Sequence, residues 1–117
     1  MAWDINDPAL FNPEHLTVKH MYDNQHAAVV WFGFSKGQSL REHETTSVAI
    51  IQVLSGKIKL NTSIEQILEA GQAVALKPSE RHALTGLENS VVQLLIVPHP
   101  HYHSLSEELD LPSKPKA

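Results

Sequence analysis

The sequence predicts an all-β fold, either a barrel or a sandwich of short strands. Two observations support this prediction. The middle of the chain is a succession of short segments rich in Val and Ile, which favour strands, and turn-forming residues separate these segments at short, fairly regular intervals. The segments are LTVKHMY, AAVVWFGF, SVAIIQVL, KIKLNT, AVALK and SVVQLLIV, and the turn signals are Gly37, Ser55-Gly56, Gly71, Pro78 and Glu88-Asn89-Ser90.

The length and composition are those of one packed domain. The chain has 117 residues, of which 42% are hydrophobic and 19% charged, a balance typical of globular proteins and not of disordered ones. We therefore expect a single domain over residues 1–117, with its core over roughly residues 16–98 and a tail over 99–117. Because the net charge is -4 and acidic and basic residues are interspersed, we do not expect a nucleic-acid partner.

Other classes of protein are also excluded. The chain contains no cysteine, so a metal must be held by His, carboxylate or water, and thiol nucleophiles and disulfides are ruled out. The N-terminal residues MAWDINDPALFNPEH lack the basic and apolar regions of a signal peptide, and no stretch approaches the ~20 apolar residues of a membrane span. We expect a cytoplasmic protein without a membrane partner.

The two ends of the chain differ from the middle. Pro8 and Pro13, with Asn and Asp around them, predict a turn-rich segment that wraps an edge of the barrel. Near the other end, Ser104 is followed three residues later by Glu107, which is a capping-box pattern, and Pro112 would stop the turn. We therefore predict one short C-terminal helix.

Two stretches of the chain resemble the two conserved motifs of the cupins. The first stretch is GQSLREHETTSVAIIQVLSG, residues 37–56, and the second is GQAVALKPSERH, residues 71–82. The run HALTGLENSVVQLLIV is also similar to the final strands of small cupins, so the resemblance covers roughly residues 30–98. The residues in register with the motifs are Gly37, His43 and Gly56 in the first and Gly71, Pro78 and His82 in the second.

The resemblance implies a cupin-type jelly-roll barrel that forms a homodimer. It also implies a metal held by two His and a Glu from the first motif and one His from the second. Here Thr45 stands at the second His position and Ala49 at the Glu position, and Ser79 replaces the usual turn Gly. His43 and His82 remain as candidate ligands of a divalent ion such as Fe, Mn, Ni or Zn.

Strand alternation predicts which neighbours share a face with His43. If His43 points into the barrel, Thr45 and Ser47 point inward with it, as do Ala49 and Ile51, because side chains two residues apart lie on one face. The same alternation directs Glu44 outward, and only a β-bulge would turn it in as a substitute ligand.

We consider three functions for this site. In the first, the barrel binds a small polar metabolite, anionic or carbonyl-bearing, through the candidate ligand-binding residues His43, Thr45, His82 and Gln93, and holds no metal tightly. In the second, it is a metal-dependent oxygenase or isomerase that uses His43 and His82, with a further ligand from Glu44 or from a His of the tail. In the third, it is a sensing or interaction module without chemistry, in which both His residues only pack. Whether the protein is an enzyme stays open.

Other side chains fit more than one role. Gln93, within an apolar run, either lines the pocket or lies on a solvated outer face. Arg81 either binds a carboxylate at the mouth of the barrel or is simply solvated. Large aromatic residues are expected in the core or at an interface, and the PHPHYH run is expected to lack a specific metal site because its prolines favour a polyproline conformation. The aromatic residues are Trp31, Phe32 and Phe34, and the histidines of the run are His99, His101 and His103.

Overall fold

The computed structural model describes residues 2–97, and of His43 it describes the backbone. Over this range the chain forms nine strands and one short 3-10 helix, Pro8–Leu10. The strands are β1 Thr17–Asp23, β2 Ala28–Phe34, β3 Ser39–His43, β4 Val48–Ser55, β5 Lys57–Asn61, β6 Glu65–Glu69, β7 Ala73–Leu76, β8 His82–Gly86 and β9 Ser90–Val97.

The strands form two antiparallel sheets that pack face to face. The five-stranded sheet has the order β1-β2-β9-β4-β7, and the four-stranded sheet has the order β3-β8-β5-β6. The inner faces of both sheets supply one apolar core, which includes Phe32, Ile51 and Leu94 from the first sheet and Leu60 and Leu84 from the second. The structure therefore confirms the predicted all-β barrel, and the alternating sides of its strands explain how such short segments bury one face.

The turn between β4 and β5, where the chain passes from one sheet to the other, requires a glycine. Gly56 has a φ of +85°, a conformation that side chains with a Cβ rarely adopt. A Cβ at this position would also collide with the backbone oxygen of Asn89 and with the side chain of Ser90. This close approach brings the β4–β5 turn against the start of β9.

A second, smaller apolar cluster lies on the outer face of the five-stranded sheet. Leu10, Trp31 and Val91 are its buried members, and the ring of Trp3 meets that of Trp31 edge to face, with 6.1 Å between centroids. A Cβ on Gly33 would overlap the carbonyl group of Leu10. The N-terminal segment therefore lies across the outer face of β2, and Asp7 also links it to Lys19 of the edge strand β1. A covered aromatic face explains why Trp31, Phe32 and Phe34 are all buried although neighbouring strand residues point to opposite sides.

Some predictions concern the ends of the chain. The short C-terminal helix predicted from Ser104 and Glu107, and the run containing His99, His101 and His103, lie outside the described residues. The extent of the domain, residues 1–117, stays a prediction. Within residues 2–97, no helix has the length and apolar character needed to cross a membrane.

Replacing Gly33 with Ala should detach the N-terminal segment. The added methyl group cannot occupy the position of the Leu10 carbonyl, so we expect a loss of about 1–3 kcal/mol in the free energy of unfolding. Both tryptophans of the chain lie at this contact, so their fluorescence emission should shift to longer wavelength.

Gly71→Ala is the matched control for this experiment. Its methyl group would meet no atom within 4 Å, but its φ of +91° is unfavourable for Ala. It should lower stability and leave the emission wavelength unchanged. Unchanged emission in Gly33→Ala would contradict the position of the N-terminal segment.

Candidate functional site

Two loops meet at one end of the barrel and form the candidate site. Residues 44–47 join β3 to β4, and residues 77–81 join β7 to β8. The backbone N–H of Ser79 donates a hydrogen bond of 2.7 Å to the carbonyl oxygen of Thr45. Ser79 has a φ of 65°, which is the left-handed conformation that glycine adopts most easily, so the position at which the cupin motif usually has Gly keeps its conformation here. The two motif stretches are thus joined directly.

His43 and His82 stand opposite each other in the ladder between β3 and β8. Between Leu40 and His43 the register shifts, because three steps along β3 correspond to two steps along β8, from Leu84 to His82. This is a β-bulge in β3 immediately before His43, a feature common beside functional sites. This register places His43, the last residue of β3, beside His82, the first residue of β8, at one end of the barrel.

The imidazole of His82 is buried and held in one orientation. Its exposed fraction is 1%, and its Nδ1 lies 3.1 Å from the carbonyl oxygen of Glu80. Because a carbonyl oxygen can only accept, Nδ1 carries the proton and the lone pair of the neutral ring lies on Nε2. Burial lowers the pKa of His82, and the hydrogen bond and negative charge contributed by Glu80 oppose this only in part. The ring is therefore neutral at pH 7.

Hydroxyl side chains lie at the same end of the barrel. Thr45 and Ser47 each have an exposed fraction of 3%, and the Oγ1 of Thr45 accepts a hydrogen bond of 3.2 Å from the backbone N–H of Ser47. Ala49, the next of these alternating positions, is also buried, while Glu44 and Val48 are exposed. The alternation predicted from the sequence is thus found, and it directs polar groups inward near His82.

The acidic side chains of β3 and its loop point away from the barrel. Glu44 is exposed, as strand alternation predicts, and the bulge before His43 does not turn it inward, so the alternative in which Glu44 is a further metal ligand is not supported. Glu42 is also exposed and accepts a hydrogen bond from the Nε of Arg81. Both side chains of this pair are 59% exposed, and such solvated pairs contribute little to stability.

Gln93 lies on the outer face of the five-stranded sheet and does not line the barrel. Its neighbours Val92 and Leu94 are buried in the core, so alternation directs Gln93 to the opposite face. There its Oε1 accepts a hydrogen bond of 2.9 Å from the indole Nε1 of Trp31, with which it pairs across β2 and β9. The placement of Gln93 among the ligand-binding residues is therefore corrected, and the outer of its two predicted orientations is found.

The residues present do not fit the four-ligand metal site that the resemblance implies. Thr45 offers only a hydroxyl, Ala49 offers no donor atom, and Glu44 points outward. Within the described part of the chain, no three His, Asp or Glu residues form a group able to hold a metal ion. His43 and His82 remain the two candidate ligands, fewer than protein metal sites usually provide.

Sequence reasoning missed the role of Glu80. Its backbone carbonyl fixes the tautomer of His82, and its carboxylate charge acts on the same ring. A carbonyl is common to every residue, so no side-chain pattern could have revealed this contact. The loop conformation, which includes the left-handed Ser79, creates it.

A cleft of about 360 Å³ lies on the surface between the N-terminal segment and β1, apart from His82. The carboxylate of Asp7 lines it, but one oxygen accepts the backbone N–H of Ala9 and the other binds the Nζ of Lys19 at 3.2 Å. These contacts hold the segment against the sheet, so we assign the cleft a structural role.

Comparison with solved structures identifies the architecture. An RmlC-like cupin from Desulfovibrio desulfuricans superposes with a TM-score of 0.77 at 18% identity, over 84% of this chain and 96% of that one. A cupin superfamily protein from Desulfitobacterium hafniense gives 0.72 at 13% identity, over 75% and 82%. A cupin 2 conserved barrel domain protein from Leptotrichia buccalis gives 0.70 at 24% identity, over 74% and 43%. No family profile and no curated protein matches the chain. The likenesses establish the fold and confirm the fold predicted from the two motifs.

Lowering the pH should destabilise the protein through His82. Because the pKa of His82 is lowered in the folded state, the unfolded chain binds the proton first, and the free energy of unfolding decreases as the pH falls below about 6.5. Urea denaturation at several pH values measures this slope, to which one group contributes at most about 1.4 kcal/mol per pH unit.

His82→Gln should make the free energy of unfolding less dependent on pH between about pH 6.5 and the lowered pKa of His82. His26→Gln, at an exposed turn position, is the control and should keep the slope of the parent. Parallel curves for the parent and His82→Gln would contradict the burial of a neutral imidazole.

Proposed function

We propose that this chain, which has the cupin fold, binds a small polar metabolite at the mouth of its barrel through His43, Thr45 and His82, without a tightly held metal. The observation that carries the proposal is the buried, neutral imidazole of His82, held by the carbonyl of Glu80. A group that served only packing could be apolar, since burying polar atoms costs free energy unless they are hydrogen-bonded.

The tautomer of His82 narrows the class of ligand. With the proton on Nδ1, the lone pair of the neutral ring lies on Nε2, so the polar groups around that atom, whether of the chain or of a ligand, must be donors such as a hydroxyl or an amide N–H. A neutral ring also provides no positive charge for an anion. We therefore propose a neutral metabolite that carries a hydroxyl or an amide N–H, and not the anion that the sequence also allowed.

The surroundings of His82 support the same assignment. Thr45 and Ser47 contribute buried hydroxyl groups near the mouth, whereas the deeper interior is apolar. A few polar groups above an apolar floor are the usual composition of a small-molecule site. His43 stands opposite His82 in the ladder, and we propose that it completes the polar ring at the mouth.

The alternative is a metal-dependent oxygenase or isomerase that uses His43 and His82. One observation favours it: metal-binding histidines often anchor their second ring nitrogen on a carbonyl, as Nδ1 of His82 does. The poor donor set at Thr45 and Ala49 opposes it. Near-stoichiometric metal in protein purified without chelating resin, lost in both His43→Ala and His82→Ala, would favour this alternative.

Titration with two matched sets of compounds tests the proposed function. In amide NMR spectra, neutral polyols and hydroxy-amides should shift the signals of Thr45 and His82, while the corresponding carboxylates should not. His82→Phe preserves an aromatic ring and removes the acceptor, so we expect about tenfold weaker binding, the effect of one hydrogen bond.

Lys77→Ala, in the same loop and exposed, is the control and should bind like the parent. Binding of carboxylates alone, or equal affinities for the parent and His82→Phe, would contradict the proposed role of His82.

A further inference from the structure

One half of the outer face of the five-stranded sheet is apolar and exposed. A row of five apolar residues crosses every strand of the sheet in register, with a second pair beside it. We call these seven residues the outer patch. They are Tyr22, Val29, Leu95, Ile50 and Ala75 in the row, and Val48 and Val97 in the pair.

The exposure of the outer patch is large for apolar side chains. Tyr22 is 54% exposed, Val97 41%, Ile50 38% and Val48 37%. With strands about 4.8 Å apart, the row extends about 19 Å across the sheet. A continuous apolar row of this kind commonly marks a docking surface.

The other half of the same face is already covered by the chain itself. There, the N-terminal segment buries Trp31 and Val91 beneath Leu10. Trp31, Gln93 and Gln52 form the cross-strand row between Val91 and the outer patch, and Val29 of the patch packs against the covered cluster. The sheet face is therefore suited to hold a chain segment, and its second half lacks one within residues 2–97.

We propose that the C-terminal segment, residues 98–111, docks on the outer patch of its own chain. The segment starts directly after Val97, which belongs to the patch, so it is tethered at the surface that it would cover. Leu105 is the eighth residue after Val97, and an extended chain of eight residue steps reaches about 26 Å, enough to cross the row.

The pattern of the C-terminal segment matches the chemistry of the patch. Leu105 and Leu109 are four residues apart, so they share one face of the helix predicted there. Glu107 and Asp110 lie on the opposite side of such a helix and would face water, while Glu108, three residues after Leu105, borders the stripe. The outer patch contains no charged side chain, so it fits the leucine stripe and not the acidic face.

Tethering favours this occupant over a second copy of the chain. A second copy of the chain would have to bind from solution, whereas a linked segment acts at an effective concentration in the millimolar range. The chain also leaves β9 at the barrel end that holds His82, since Val97 pairs with Val48. Docking on the outer patch would lead the segment away from the mouth of the barrel. At the mouth, the polar, His-rich start of the segment would have to provide the contacts, and its leucines would not.

Disulfide trapping tests the docked position, because the chain has no cysteine of its own. Leu109→Cys is combined in turn with Ile50→Cys in the patch, Glu44→Cys at the mouth and Ile67→Cys on the other sheet, where Ile67 is 56% exposed. Under mild oxidation with glutathione disulfide, we expect the Ile50 pair to form an intramolecular bond at least about tenfold faster than either control pair.

Three results would overturn the proposal. Similar rates for all three pairs would show a segment that does not dock, and the fastest rate for the Glu44 pair would place it over the mouth. Disulfide-linked dimers of the single variant Ile50→Cys would assign the patch to a second copy. Val48→Cys replaces Ile50→Cys in the same test if that variant does not fold. The outcome does not depend on the proposed ligand.

Discussion

The hydrogen bond between Nδ1 of His82 and the carbonyl oxygen of Glu80 determines most of what the site can do. It fixes which ring nitrogen carries the proton, and burial of the ring keeps it neutral by lowering its pKa. The contact exists because the loop of residues 77–81 turns back on itself, with Ser79 in a left-handed conformation and bonded to Thr45. One backbone geometry thus sets the charge, the orientation and the hydrogen-bonding character of the site.

The two sheets position this site at one end of the barrel and separate it from the outer patch. The inner faces form an apolar core, and the buried side chains of Thr45, Ser47 and His82 lie at one end of it. The outer face of the five-stranded sheet holds the N-terminal segment. Gln93 illustrates the separation. It is a polar residue in an apolar strand, but its hydrogen bond to Trp31 belongs to the outer layer. The polar residues of one barrel therefore serve two different purposes.

Much of the fold could be predicted from the sequence, and the reasons for the exceptions are physical. The six segments rich in Val and Ile correspond to strands because both periodicity and residue type favour them there. The remaining strands, β3, β6 and β8, all belong to the four-stranded sheet, and two of them, SLREH and EQILE, carry charged side chains on a solvated face. Such strands show little β-propensity, so only their partners reveal them.

The site was predictable in part. Alternation along the chain predicted that Thr45 and Ser47 point inward and that Glu44 points outward, and the structure has this arrangement. The direction of the Gln93 side chain could not be predicted, because the preceding turn determines which residues of β9 face the core. The tautomer of His82 could not be predicted either, since it depends on a carbonyl oxygen whose position only the folded loop defines. The proposed ligand class therefore rests on the structure and not on the motif.

The most direct test of this account is the protonation state of the His82 ring, observed in long-range nitrogen–proton NMR spectra of the uniformly labelled protein at about pH 7. We predict a neutral ring with its proton on Nδ1, and His82→Gln identifies the signal by its absence. An imidazolium at this pH, or a proton on Nε2, would contradict the buried acceptor on which the proposed function rests.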